Sequence, residues 1–204
     1  MFLTDFQYFG TIDFVQTLLK QPQIAFDVQS SFTKMSFKNR MIINTSQGPL
    51  NLTIPIIGGR DQKTPLNEIV MDYSTPWKEK HLKAIRTGYK KSPYFEFYEP
   101  SLEELYAHQE DKLVDFLQAC QLWLKAQLKA DWEIIPINHS IQQEERSMVK
   151  YFSPWLPKNY AKCNSLPKYH QVFEDKIGFI PNVSILDMLF CCGGKEVHQL
   201  LKFI

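Results

Sequence analysis

Apolar positions along the chain come in short runs whose spacing alternates between strand and helix. Met1 to Tyr8 is compactly apolar and predicts a first strand. From Gly10 to Lys20, Ile12, Val15, Leu18 and Leu19 recur at helical spacing, and Gln23 to Val28 reads again as strand. A strand, a short helix and a strand within this length predict a right-handed parallel unit. Met41 to Asn44 and Leu50 to Ile57 flank Thr45-Ser46-Gln47-Gly48-Pro49, a pattern for a hairpin with a five-residue loop. Pro55 marks the end or the edge of its second strand. Leu66 to Tyr73 predicts a further strand.

Thr75 then offers a cap, with Pro76 at the first position of a helix. A long helical stretch from Leu102 to Lys129 is interrupted near His108. In its second part Leu113, Phe116, Leu117, Cys120, Leu124 and Leu128 form a core stripe. Trp132 to Ile137 is a last strand, and His139 to Asn182 shows no periodicity. Val183 to Phe190 predicts a helix introduced by Pro181-Asn182 and ended by Gly193-Gly194. The elements define an α/β class: one domain over residues 1–204, with a mixed sheet that starts from a βαβ unit and is flanked by helices.

Composition narrows the function classes. The 204 residues are 44% hydrophobic and 22% charged, with 23 basic and 22 acidic side chains. That ordinary balance predicts a folded globular chain and lacks the broad positive field of a nucleic-acid binder. Lacking a basic, then apolar, leader and any apolar run of membrane-spanning length, the chain is expected to have no membrane span and to reside in the cytoplasm. Cys120, Cys163, Cys191 and Cys192 match neither a zinc spacing nor a disulfide framework, so no structural metal is expected. The sequence does not identify a cofactor.

Candidate chemistry is concentrated in three places. Advancing 100° per residue from Trp77 puts Trp77, His81, Ile85, Gly88 and Tyr89 on one face, opposite Glu79, Lys80, Lys83 and Arg86. His81 is therefore either a core histidine satisfied by hydrogen bonds or a pocket base that titrates near neutrality. The segment after the second strand carries Lys34, Lys38, Asn39 and Arg40, at the end of a parallel sheet where ligands usually sit. Arg40 suits a phosphate or carboxylate and Asn39 a sugar edge, whereas Lys38 reads as a surface charge. Tyr169-His170-Gln171 is the second polar cluster, and His170 is a possible catalytic partner of His81. Arg60 and Lys63 could touch a phosphate, although Gly58-Gly59 is no P-loop. Ser184 and Asp187 read as helix-start residues.

Several of these segments together resemble the WbqC-like protein family: Lys34-x4-Asn39-Arg40, Asp72 to Trp77 with His81, the aromatic stretch Tyr89 to Tyr98, Tyr169 to Phe173, and Gly178 to Phe190. The chain departs from the family at its first turn, Gln7-Tyr8-Phe9-Gly10, which lacks prolines, and at Gln29-Ser30-Ser31, which lacks a histidine. The resemblance implies a link to bacterial surface-polysaccharide or modified-sugar synthesis, including O-antigen. The expected activity is an intracellular transferase moving an acyl or aminoacyl group to an amino sugar or sugar nucleotide. His81 and His170 would be catalytic, and Lys34, Asn39, Arg40, Trp77, Tyr89, Tyr169 and Gln171 would bind a small-molecule substrate, with a sugar nucleotide the leading candidate. The competing expectation is a noncatalytic protein that binds a sugar nucleotide or assists assembly.

Overall fold

The computed structural model describes residues 1–33, 35–58, 63–135, 151–163 and 166–202. Its first unit is β1 (Phe2–Thr4), α1 (Ile12–Leu19) and β2 (Gln23–Phe26), followed much later by β5 (Glu133–Ile135). The three strands pair in parallel in the order β1-β2-β5. Leu3 also bridges Tyr151 in parallel, and its carbonyl accepts Phe152 N–H at 3.0 Å, so the returning chain extends the β1 edge. Thr11 caps α1 by accepting Phe14 N–H, and Ile12, Phe14, Val15, Leu18 and Leu19 bury its inner face.

β3 (Arg40–Thr45) and β4 (Gly48–Thr53) form a separate antiparallel ribbon, so parallel and antiparallel pairing fall in two sheets. The hairpin is tighter than its five-residue loop predicted, because Thr45 pairs with Gly48 and Pro49 lies opposite Asn44. Leu66 to Tyr73 does not become a strand. Leu66–Glu68 is a 3-10 turn, and only Val70 and Met71 make isolated bridges, to Lys112 and Ile56.

The helical half comprises α2 (Trp77–Tyr89), α3 (Phe95–Ala107), α4 (Leu113–Leu128), the short α5 (Glu174–Ile177), α6 (Ile185–Cys192) and α7 (Gly194–Lys202). α2 begins one residue later than expected: Pro76 occupies the cap position without a side-chain bond, and the Thr75 carbonyl, not its hydroxyl, accepts Trp77 N–H. The aromatic stretch around Phe95 is the start of α3, not a loop. Gly193-Gly194 ends one helix as predicted but also starts α7, whose Val197 and Leu201 are buried. There is no room for a side chain at the junction, since a Cβ on Gly194 would lie 2.0 Å from the Gln127 carbonyl oxygen. One core, in which Phe9, Phe14, Phe26, Phe116 and Phe190 are fully enclosed, joins both halves. Ser184 N–H donates to Ile42 O at 2.7 Å and Ile185 N–H to Gly10 O at 3.0 Å, fixing the start of α6 to both sheets' connections. Among the described residues no helix is long and apolar enough to cross a membrane.

Candidate functional site

At the carboxyl ends of β1 and β2 the chain places two acids one residue beyond each strand, Asp5 and Asp27. The Lys38 ammonium reaches them from the segment before β3. It lies 3.2 Å from Asp5 Oδ1 and donates to Ser30 Oγ at 2.9 Å and Ser31 O at 3.3 Å, with its side chain 3% exposed. Such burial is tolerable because each ammonium hydrogen finds an acceptor. Lys38 is thus not the surface charge that its polar context suggested. Asp5 Oδ2 accepts the Ser153 hydroxyl at 3.0 Å, and the exposed Tyr151 phenol also bonds Asp5. Desolvation first, and the Asp5 charge second, raise the Tyr151 pKa, so the phenol stays protonated as a donor. Asp27 Oδ1 accepts the Gln29 and Ser30 N–H groups at 3.1 Å, closing the turn after β2.

A cleft of about 360 Å³ opens at this edge. It is lined by Phe37 and Pro154, the chain neighbours of Lys38 and Ser153, together with Asp13, Asn159, Lys162 and Asn182. Asp13 lies in the first turn of α1, its carboxylate accepting Trp155 Nε1–H at 2.9 Å and its N–H donating to Asn182 Oδ1 at 2.8 Å. Asn182 holds a left-handed backbone, φ 54°, and also donates to Tyr160 O. The lining mixes one carboxylate, one exposed ammonium and two amides, the groups that bind hydroxyls and anions.

The predicted site residues are divided among other places. His81 is 5% exposed, with Nδ1 3.0 Å from the Tyr8 hydroxyl. Tyr8 in turn bonds the Tyr106 hydroxyl. The consistent chain runs from Tyr106 O–H to Tyr8 and from Tyr8 O–H to Nδ1. Burial lowers the His81 pKa to about 4, so the ring is neutral at pH 7. This geometry fits a satisfied core histidine. His170 lies elsewhere, on the surface, with Nδ1 3.5 Å from Glu174. Asn39 donates to Ile54 O at 2.8 Å, and Arg40 pairs opposite Thr53 while its guanidinium touches Met35 Sδ at 3.4 Å. Asn39 and Arg40 thus meet the chain at the end of β4, at Ile54 and Thr53. Lys34, Arg60 and His139 lie outside the described residues.

Tyr89, Tyr169 and Gln171 do converge, around the fully buried Asp187. Its carboxylate accepts Tyr169 O–H at 2.6 Å, Tyr89 O–H at 2.8 Å and Gln171 Nε2–H at 3.1 Å. Desolvation raises its pKa, against the three hydrogen bonds that lower it. Gln171 further exchanges bonds with Ile180, and Tyr89 accepts Asn44 N–H. The hub is sealed from solvent and joins α2, β3, α6 and the 169–171 segment. Ser184 caps α6 as its sequence position predicted. His198 donates from Nδ1 to Leu128 O at 2.9 Å.

Parallel strands, an antiparallel ribbon and the helices packed on them define an α/β protein. The comparison with known families is more specific: the profile of the WbqC-like protein family matches residues 6–154, and the chain belongs to that family. It is also similar to the uncharacterized protein Rv1507c of Mycobacterium tuberculosis, 24% identical over 221 residues that cover 95% of this chain and 91% of that protein. No solved structure matches. Among the described residues no cluster of histidine, cysteine and acidic side chains could hold a metal ion.

Proposed function

We propose that this protein is a transferase of modified-sugar or surface-polysaccharide synthesis that holds its sugar substrate in the cleft at the carboxyl edge of the parallel sheet. The observation that carries the reading is that cleft, about 360 Å³ with Asp13, Asn159 and Lys162 in its wall, adjoining the Asp5–Lys38 cluster. A cavity of this size takes a sugar or half of a sugar nucleotide. Asp13 and Asn159 suit sugar hydroxyls, and Lys162 suits a phosphate. In acyl or aminoacyl transfer the sugar nitrogen bonds to the donor's activated carbonyl carbon, the donor's thiol, alcohol or phosphate group leaves with the electrons of its broken bond, and the nitrogen gives up a proton. Asp13 is the carboxylate in the cleft wall that would accept it, while Asp5, Lys38, Ser153 and Tyr151 hold the wall segments in place.

The test is to incubate the protein with amino sugars or their nucleotides and with acyl or aminoacyl donors, and to look for the transferred mass. A product that requires the protein and is lost in Asp13→Asn supports transfer. Saturable sugar-nucleotide binding without a product from any donor would favour the noncatalytic alternative, and neither binding nor product would overturn the reading.

A further inference from the structure

A second cleft, of about 540 Å³, opens between the first turn of α2 and the last turns of α3. Trp77 lines it, is 3% exposed, and its indole N–H has no acceptor among the described residues. A buried indole N–H ordinarily finds one. The helix start beside it is also unsatisfied. Pro76 provides no side-chain cap, Trp77 N–H goes to Thr75 O and Lys80 N–H to Pro76 O, and the N–H groups of Lys78 and Glu79 have no acceptor among the described residues. The Lys78 ammonium lies 5.2–5.6 Å from the Phe116, Tyr73 and Trp77 rings and donates to His108 O. Of the acids in the wall, Glu103 is tied to Arg86, which also holds Glu99 at 2.5 Å, and Glu79 remains at the rim. The unpartnered N–H groups gather at the positive end of the α2 dipole. Tyr73, 45% exposed, presents an aromatic face at the entrance.

We propose that this cleft binds the phosphate or carboxylate end of a small organic anion, with the Trp77 indole N–H, the first-turn N–H groups of α2 and the Lys78 ammonium as donors and the Tyr73 ring against its organic part. The site is independent of the sugar cleft and stands whether or not transfer occurs there.

The experiment is an NMR titration of the full-length ¹⁵N-labelled protein with inorganic phosphate, phenyl phosphate and benzoate. Trp77→Phe assigns one of the four indole resonances. The expected result is a saturable shift of the Trp77 indole resonance while the other three stay in place. A response to phenyl phosphate alone or to benzoate alone identifies the anion, and either supports the site. Lys78→Met is expected to weaken binding about tenfold or more, since a charge-assisted hydrogen bond is lost. Tyr151→Phe, in the other site, is expected to leave it unchanged. Should Trp77→Phe fail to fold, the Lys78→Met titration, followed on whichever indole resonance moves in the wild type, decides. No movement of any indole resonance with the three anions, or the same affinity in Lys78→Met, would overturn the proposal.

Discussion

His81 illustrates how a residue's partners set its chemistry. The Tyr8 hydroxyl on Nδ1 and the burial of the ring hold His81 inside the core. His81→Gln keeps one hydrogen-bonding end and loses the other, so it is expected to cost about 1–3 kcal/mol in denaturant unfolding. The pH dependence follows from the depressed pKa. The unfolded ring takes up a proton near pH 6.5 and the folded one near 4, so the unfolded state binds more protons between those values. Stability is therefore full above about pH 6.5, falls as pH drops through this window and levels below 4, a loss on the order of 3 kcal/mol. Unfolding curves of His81→Gln across the same window should show a shallower decline; an identical decline would contradict the assignment. Lys38 behaves in the opposite sense, as a charge the fold keeps. Lys38→Met leaves the Asp5 carboxylate without its cation and is expected to cost about 3–5 kcal/mol in the same measurement.

At the scale of elements, the junction of α6 and α7 makes the sharpest demand on sequence. A Cβ at Gly194 would meet the Gln127 carbonyl at 2.0 Å, and backbone cannot rotate away as a side chain can. Gly194→Ala should therefore destabilise by about 1–3 kcal/mol or more, read as a lowered melting temperature, whereas an unchanged melting temperature would place α7 farther from α4. This junction also shows the limits of reading elements from pattern. Gly193-Gly194 signals a helix end, and nothing local says that a new helix starts on the second glycine. The βαβ unit was legible because its apolar spacing is strong. The strand predicted over Leu66 to Tyr73 was not real, because its apolar side chains are buried from a 3-10 turn and isolated bridges instead of a ladder.

Across the whole molecule, the region of the site was easier to read than its residues. The parallel unit located the carboxyl edge, and the polar segment around Lys38 was assigned there correctly. Asp5 escaped notice because the first strand was drawn through to Tyr8, when it ends at Thr4 and leaves Asp5 on the edge. Tyr151, Ser153 and Lys162 come from a stretch without periodicity, where only the fold brings them to the sheet. Tyr89, Tyr169 and Gln171, singled out as substrate contacts, meet around a sealed carboxylate. The most direct test of a sugar site at this edge is calorimetric titration of a sugar nucleotide into wild-type protein and into Lys162→Met, an exposed position whose replacement should not disturb folding. The account predicts saturable binding that weakens about tenfold in the variant, the worth of one charge-assisted hydrogen bond. Equal affinity in the two proteins, with both folded, would contradict it.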